Sequence, residues 1–398
     1  MAVHVLHHSD NEPARALERS LVMKFSYGLS MTALAMMVFT TSPAASQNYE
    51  IPVLVPITGF LSLEGTAQRN GAVMALSEAA DGIKVSAQVA DTSTSPEVAV
   101  NALSRALSDE KPLAVAASMF GTQMLAMMPI AARAGVPLLT VSGTAKLTEL
   151  GNPFIFRFFP GDNVVKKAQA DYAVTVLNAK RPALIYQTTA YGQSGRAVLK
   201  DILAAMGAPL VFEEALSPKV KDMVPALSRL KAAGADVILL HLHSGPSALV
   251  VRQAKAMGLQ QPILGGSALH QPTTAALLQP AELANVCAES AASPISETSA
   301  AFKRFTKTYQ ETFGSAPDAF ALGQYDGMSM MLAGLAAGAD TATKMRAWLA
   351  NNRYQGLAMS YVSDGKGNMA HDAVIICYDG QSLVPAISRR YQNVDGKG

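Results

Sequence analysis

Residues 136–163 read VPLLTVSGTAKLTELGNPFIFRFFPGDN, an apolar run that turns into Ser142, Gly143 and Thr144 before a second, aromatic-rich run. Positions 136–141 have the near-continuous apolar character of a strand buried on both faces, as a parallel sheet covered by helices requires. The hydroxyl corner therefore falls at the carboxyl end of a parallel strand, where open α/β sheets bind ligands. Ser and Thr are also favoured helix caps, so the corner either faces a ligand or starts a helix. Other chemistry-bearing residues are sparse. His241 and His243 stand two apart after a strand and could open a metal site with His270 or His371, but a closed zinc site needs more ligands than that pair. Asp91 ends one strand and Asp326 lies in QYDG, with nothing in the sequence to bring the two acids together. There is no G-x-S-x-G elbow, no G-x-x-x-x-G-K-[ST] loop and no H-E-x-x-H. No catalytic residue, metal site or cofactor is assigned.

Composition narrows the setting. The chain has 398 residues, 49% of them hydrophobic and 16% charged, enough for two globular domains with their own cores. A net charge of +2 without a Lys/Arg-rich stripe argues against a nucleic-acid partner. Residues 25–49 carry no charge and follow Lys24; the apolar part YGLSMTALAMMVFT leads to Ala44-Ala45-Ser46. That is the layout of a secretory signal peptide, cleaved near Ser46, and the run is short of the roughly 20 strongly apolar residues of a membrane anchor. Residues 1–22 have no place in a signal peptide, whereas Met23-Lys24 makes a natural start, so residues 1–46 are set aside as upstream extension and signal. No Cys stands at the exit site, which argues against a lipid anchor. Cys287 and Cys377, 90 positions apart, either pair or are buried as thiols.

The elements that must position the corner alternate in type. Apolar runs at 51–57, 85–91 and 113–118 are followed by segments of helical period at 66–80, 96–108 and 122–134. A second series has apolar runs at 182–187, 209–214, 236–242 and 262–266; 300–313 and 324–337 then read as long helices, and the chain's end as strand, turn, strand. This pattern predicts an α/β protein with two doubly wound parallel-sheet lobes and a cleft between them.

The motifs VPITGFLSLEG, VADTSTSPEVAVNAL, ARAGVPLLTVSGTAKLT, FIFRFFPGD, YGQSGRAVL and ALGQYDGMSMMLAGL follow one another in order. Together they resemble the extracytoplasmic solute-binding proteins of branched-chain amino acid ABC transporters, the leucine/isoleucine/valine group, over about residues 49–388. The resemblance implies type I periplasmic binding protein lobes joined by a three-strand hinge, with residues 49–160 and 293–368 in lobe 1 and 161–292 and 369–398 in lobe 2. It implies a periplasmic monomer that closes on a small ligand and delivers it to membrane permease subunits, hinge closure in such proteins being a known example. A free-standing sensor of the same fold is the alternative role.

The resemblance also places a site. Gly121 and Thr122 in MFGTQ, with Ser142 and Thr144, match the loops that grip a ligand carboxylate, and N–H groups at helix starts beside hydroxyls suit an anion. Tyr191 matches the aromatic residue that covers the ligand. Where the family has an acid and a tyrosine for the ligand's ammonium, this chain has Ser267 and His243. A hydroxyl does not neutralise a buried ammonium, so the expected ligand is a small carboxylate with an apolar body. Branched-chain or other amino acids are the alternative, in which Glu64, in a loop where the family often has an aromatic, supplies the charge from the first lobe or is instead a solvated helix-start glutamate.

Overall fold

The computed structural model describes residues 48–108 and 111–398, and the signal-peptide reading lies outside them. The first sheet consists of β1 (Asn48–Val55), β2 (Lys84–Asp91), β3 (Val115–Ala117), β4 (Leu138–Thr140) and β5 (Ile155–Arg157). Their order is β2-β1-β3-β4-β5, parallel throughout. Helices α1 (Ser62–Ser77), α2 (Pro96–Ala106) and α3 (Gly121–Ala134) connect the first four strands. Every residue of β3, β4 and β5 is buried, which is why their sequences VAA, LLT and IFR show no alternation of apolar and polar residues, Arg157 being the one charge among them.

The chain then forms α4 (Asp162–Thr175), β6 (Pro182–Gln187), α5 (Ala190–Ala205), β7 (Phe212–Leu216), α6 (Val224–Ala232), β8 (Val237–His241), α7 (Ser244–Ala256), β9 (Ile263–Gly265), α8 (Pro272–Ala275) and β10 (Val286–Ser290). Next come α9 (Ala300–Phe313), α10 (Ala319–Ala336), α11 (Ala342–Asn351), the short pair β11 (Tyr354–Gln355) and β12 (Ser360–Tyr361), then β13 (Ala373–Cys377) and β14 (Ala386–Tyr391). The second sheet has the order β14-β13-β10-β9-β8-β6-β7. Its five βα strands are parallel, and β13 and β14 add an antiparallel edge. Across that antiparallel join Cys287 faces Cys377, and the two are bonded as a disulfide, which resolves the alternative the sequence left open.

Helix α10 belongs with the first sheet: Phe320, Met328 and Met331 share a core with Ile51, Val53 and Leu139. The chain thus leaves the first sheet's layers after β5, returns after β10 and leaves again after β12. Two of these crossings run side by side, Arg157 N donating to Gly367 O at 2.8 Å and Met369 N to Arg157 O at 3.1 Å. Asp91 and Asp326 each fasten a loop. Asp91 accepts from Ile57 N and Ser93 N at 3.0 and 2.8 Å, whereas Asp326 accepts from Leu357 N and Ala358 N, both at 2.8 Å, and from the Tyr361 hydroxyl. Among the described residues no helix is long and apolar enough to cross a membrane.

Candidate functional site

The ends of β1, β3 and β4 set three loops side by side. After β4, Ser142 Oγ and Thr144 Oγ1 are buried and have no hydrogen-bond partner in the protein. Thr144 stands at the cap of a short 3-10 turn without capping it by its side chain. The Ala145 N–H donates instead to Ser194 Oγ at 2.8 Å. Capping therefore does not account for the two hydroxyls. The shape of the corner is set by Arg157, which sequence reasoning missed: its Nη1 donates to the carbonyls of Ser142, Gly143 and Thr144 at 3.3, 3.3 and 2.7 Å. Its remaining nitrogens donate to Asn368 Oδ1 and Thr148 Oγ1. Burial lowers its pKa to about 10, so it stays cationic at neutral pH. A lone Arg inside FIFRFF was the available signal.

Gly121 and Thr122 are the first two residues of α3, whose cap position, Phe120, offers no side-chain bond to the helix end. A Cβ on residue 121 would lie 2.0 Å from Thr144 Oγ1, so the close approach of helix start and hydroxyl requires glycine. An uncapped helix N-terminus against two unpaired hydroxyls is a favourable setting for an anion. The Thr122 hydroxyl itself accepts a long bond of 3.4 Å from Ala190 N at the start of α5.

Tyr191, His243 and Ser267 come from the strand ends of the second sheet. The Tyr191 hydroxyl is buried without a partner, and burial pushes its pKa well above the usual value. Its ring lies 3.7 Å from His241 and 5.3 Å from His243, centroid to centroid. His243 is also flanked by Phe60 and Phe120, and burial, then the neighbouring His241, drives its pKa down to about 3. It is a neutral ring at physiological pH. Ser267 holds the main surprise. Its N–H and hydroxyl both donate to Glu289 Oε1, at 3.0 and 2.8 Å, and the same oxygen takes Lys166 Nζ at 2.6 Å. An acid therefore does stand behind residue 267, but it comes from β10 and is already paired. Neither was picked out from the sequence: Glu289 was a single charge in the strand VCAES, whereas Lys166 lies in α4 beside Lys167 with nothing to set it apart.

Glu64, in the first turn of α1, is fully buried, which overturns its reading as a solvated helix-start residue. Its Oε1 accepts from the N–H and hydroxyl of Ser244 at 2.9 and 2.6 Å. Ser244 is the first residue of α7, whose own cap residue His243 makes no side-chain bond. Glu64 thus caps a helix of the second sheet from a helix of the first. Burial raises its pKa, the Ser244 bonds oppose that, and Oε2 is left without a partner.

Glu64, Tyr191, His243 and Ser267 together line one narrow cavity, with Met119, Phe159, Ala268 and Phe320 as apolar walls and Gly143 between the two corner hydroxyls. Gly121, Thr122, Ser142 and Thr144 are not part of that lining, which meets the corner only at Gly143. Nothing gathers a metal set among the described residues. His270 accepts from Ala319 N at 3.1 Å, and His371 bonds Asp395 and the Val362 carbonyl.

The chain matches the family model described as periplasmic binding protein over residues 48–382. It is 27% identical over 376 residues to an amino acid binding protein of Pseudomonas aeruginosa, covering 90% of this chain and 95% of that one. Among solved structures it is similar to the branched-chain amino acid transporter substrate binding protein LivJ of Streptococcus pneumoniae, in complex with isoleucine. There the TM-score is 0.78 and the identity 22%, over 87% of this chain and 99% of that one. A solute binding protein of an ABC transporter from Rhodopseudomonas palustris, in complex with 3,4-dihydroxybenzoic acid, gives a TM-score of 0.79 at 20% identity, over 87% of this chain and 98% of that one. With the family model matched over residues 48–382 and the fold shared over 87% of the chain, the chain belongs to the periplasmic binding protein family.

Proposed function

We propose that this protein is an extracytoplasmic, non-catalytic solute-binding protein that takes up a small carboxylate between two lobes and hands it to the permease subunits of an ABC importer. Lobe 1 comprises residues 49–160 and 293–368, lobe 2 residues 161–292 and 369–398, and the mature monomer begins near Gln47. The observation that carries the ligand class is the pair of buried, unpaired hydroxyls of Ser142 and Thr144 beside the uncapped start of α3. Anions are stabilised at such a helix start. The walls Met119, Phe159 and Phe320 suit an apolar body. Residues on both sides of the cavity would close on the ligand, and closure is stabilised only as far as the ligand prefers the closed form.

One observation favours an amino acid as the second reading: Glu289 keeps Oε2 unpaired behind Ser267, and the Pseudomonas aeruginosa relative is an amino acid binding protein. Against it, Lys166 already neutralises Glu289. A thermal-shift screen of the exported protein against aliphatic acids, aromatic acids and amino acids separates the two, because a ligand that binds only the folded state raises Tm. The carboxylate reading expects the largest rise with an acid lacking an α-ammonium. A larger rise with leucine or another amino acid overturns it, and no rise with any small solute overturns the binding role.

A further inference from the structure

Four buried side chains join the layers of the two sheets in one hydrogen-bonded chain, and its protons balance only if one of its acids is neutral. Glu64 on α1 and Asp318 at the cap of α10 stand on helices that pack in the first sheet's core. Ser244 starts α7 and Gln271 precedes α8, two helices that pack with the second sheet. Ser244 Oγ lies 2.6 Å from Glu64 Oε1 and 2.7 Å from Gln271 Oε1, and Gln271 Nε2 donates to Asp318 Oδ2. All four residues are buried. A hydroxyl has one proton to give. If Ser244 gives it to Gln271, Glu64 must be protonated and donate to Ser244. If the Gln271 amide is turned about, its nitrogen donates to Ser244 and its oxygen faces Asp318, which must then be protonated. Either arrangement holds one proton between the two carboxyls.

We propose that Glu64, Ser244, Gln271 and Asp318 form a proton-carrying latch between the lobes: closing places one proton from solution on Glu64, and opening returns that acid to water and releases the proton. The inference rests on the two-lobe closure proposed above. Asp318 caps α10 and accepts from Ala321 N at 2.8 Å besides Gln271, so the helix start stabilises its charge. Glu64 keeps Oε2 buried without a donor, which a neutral carboxyl tolerates far better than an ionised one. When protonated, its Oε1 still accepts from Ser244 N at 2.9 Å. Burial raises the Glu64 pKa, the Ser244 bonds oppose the rise and the Asp318 charge adds to it. The titratable groups around the chain stay uncharged. Burial lowers His243, beside Ser244, and His270, beside Gln271, to about 3, and raises Tyr191 and Tyr309. Arg69 on α1 is held by Asn70 Oδ1. An acid whose pKa is raised only in the closed form favours closure most below its ordinary 4.5, and that advantage is lost as pH rises through the closed-form value.

Small-angle scattering of the mature protein without added solute, between about pH 8 and pH 5, tests this. The expected result is a radius of gyration that shrinks as pH falls, the closed-to-open ratio rising up to about tenfold per pH unit for one proton taken up. Glu64→Gln, whose amide can donate to Ser244 as the neutral acid does, should hold the smaller radius at every pH, and Ser244→Ala the larger. A merely structural Glu64 would leave Glu64→Gln more open than the parent rather than more closed. A parent radius that does not change with pH, or a Glu64→Gln radius that follows the parent's, overturns the latch. Where leucine or benzoate added in excess shrinks the radius and pH does not, the latch fails and the closure reading stands. A radius unmoved by pH, by either substitution and by both solutes overturns the closure reading as well. The parent's pH series decides the matter even where a variant fails to fold.

Discussion

The two sides of the site use their buried polar groups in different ways. On the first sheet's side, Ser142 and Thr144 are neutral, buried and unpaired, and one cation, Arg157, spends itself on the backbone that carries them. On the second sheet's side a buried ion pair is fastened internally: Lys166 with Glu289, and Glu289 with Ser267. A neutral hydroxyl tolerates burial without a partner far better than a charge does. The Ser142 and Thr144 hydroxyls can therefore stay without a protein partner, while Lys166 and Glu289 must keep one another.

Breaking the second wall should have the largest effect. Lys166 and Glu289 are completely buried, and removing one member of such a pair leaves an uncompensated charge at a cost of about 3–5 kcal/mol. Lys166→Met is expected to destabilise the protein by that amount in denaturant titrations. The double variant Lys166→Met, Glu289→Gln should recover most of the loss, because no charge is then stranded. A single variant within about 0.5 kcal/mol of the parent would mean that Glu289 finds another partner, and the contrast between the walls would lose its basis.

The legible and illegible parts of the chain follow the same division. A continuous apolar run gave β6 at its observed bounds, since burial on both faces leaves a plain mark on sequence, and α9 was read at its observed bounds from helical spacing, its buried residues being Phe302, Phe305 and Tyr309. The last strand, AISRRY, is largely exposed at the sheet's edge and carries two arginines, so no period marked it. In the site, the hydroxyls of Ser142 and Thr144 were legible because they sit at the end of an apolar strand. Glu289 and Arg157 were not, because their partners lie far along the chain: Lys166 is 123 positions from Glu289, and Asn368 is 211 from Arg157. Glu64 was legible as a candidate but not as buried, since its burial depends on Ser244, 180 positions away.

Acidification probes the boundary between the walls. His270 lies on the second side, accepts from Ala319 N on the first, and has its pKa pushed from 6.5 to about 3 by burial. In the unfolded chain it takes up a proton near 6.5, so the native state loses ground as pH falls below that value, by about 1.4 kcal/mol per pH unit until the folded value is reached. Asp318, next to Ala319, acts with the opposite sign. Burial raises its pKa from 3.8 to about 6, so the native state binds the extra proton between those values and gains as pH falls through them. The parent's stability should therefore change little between pH 6 and 4 on account of this pair. His270→Gln, which cannot be protonated, should gain on the parent by roughly 1.4 kcal/mol per unit over the same range. Parallel Tm curves for the two proteins would place His270 outside the packed boundary.

The smallest change in stability is expected where the largest change in binding is claimed for so minor an alteration. Ser142→Ala removes a hydroxyl that bonds to nothing in the protein, and deleting a buried polar group without a partner is close to neutral or slightly stabilising. Unfolding free energy should stay within about 0.5 kcal/mol of the parent. Affinity for a carboxylate that the hydroxyl does contact should fall by about five- to tenfold, the worth of one hydrogen bond of about 1–1.5 kcal/mol. This is the reverse of the Lys166→Met pattern, which costs stability first and affects the ligand only through it. Ser142→Ala with unchanged affinity and a clear loss of stability would assign the hydroxyl to the fold, and the first wall would then be built on the same principle as the second.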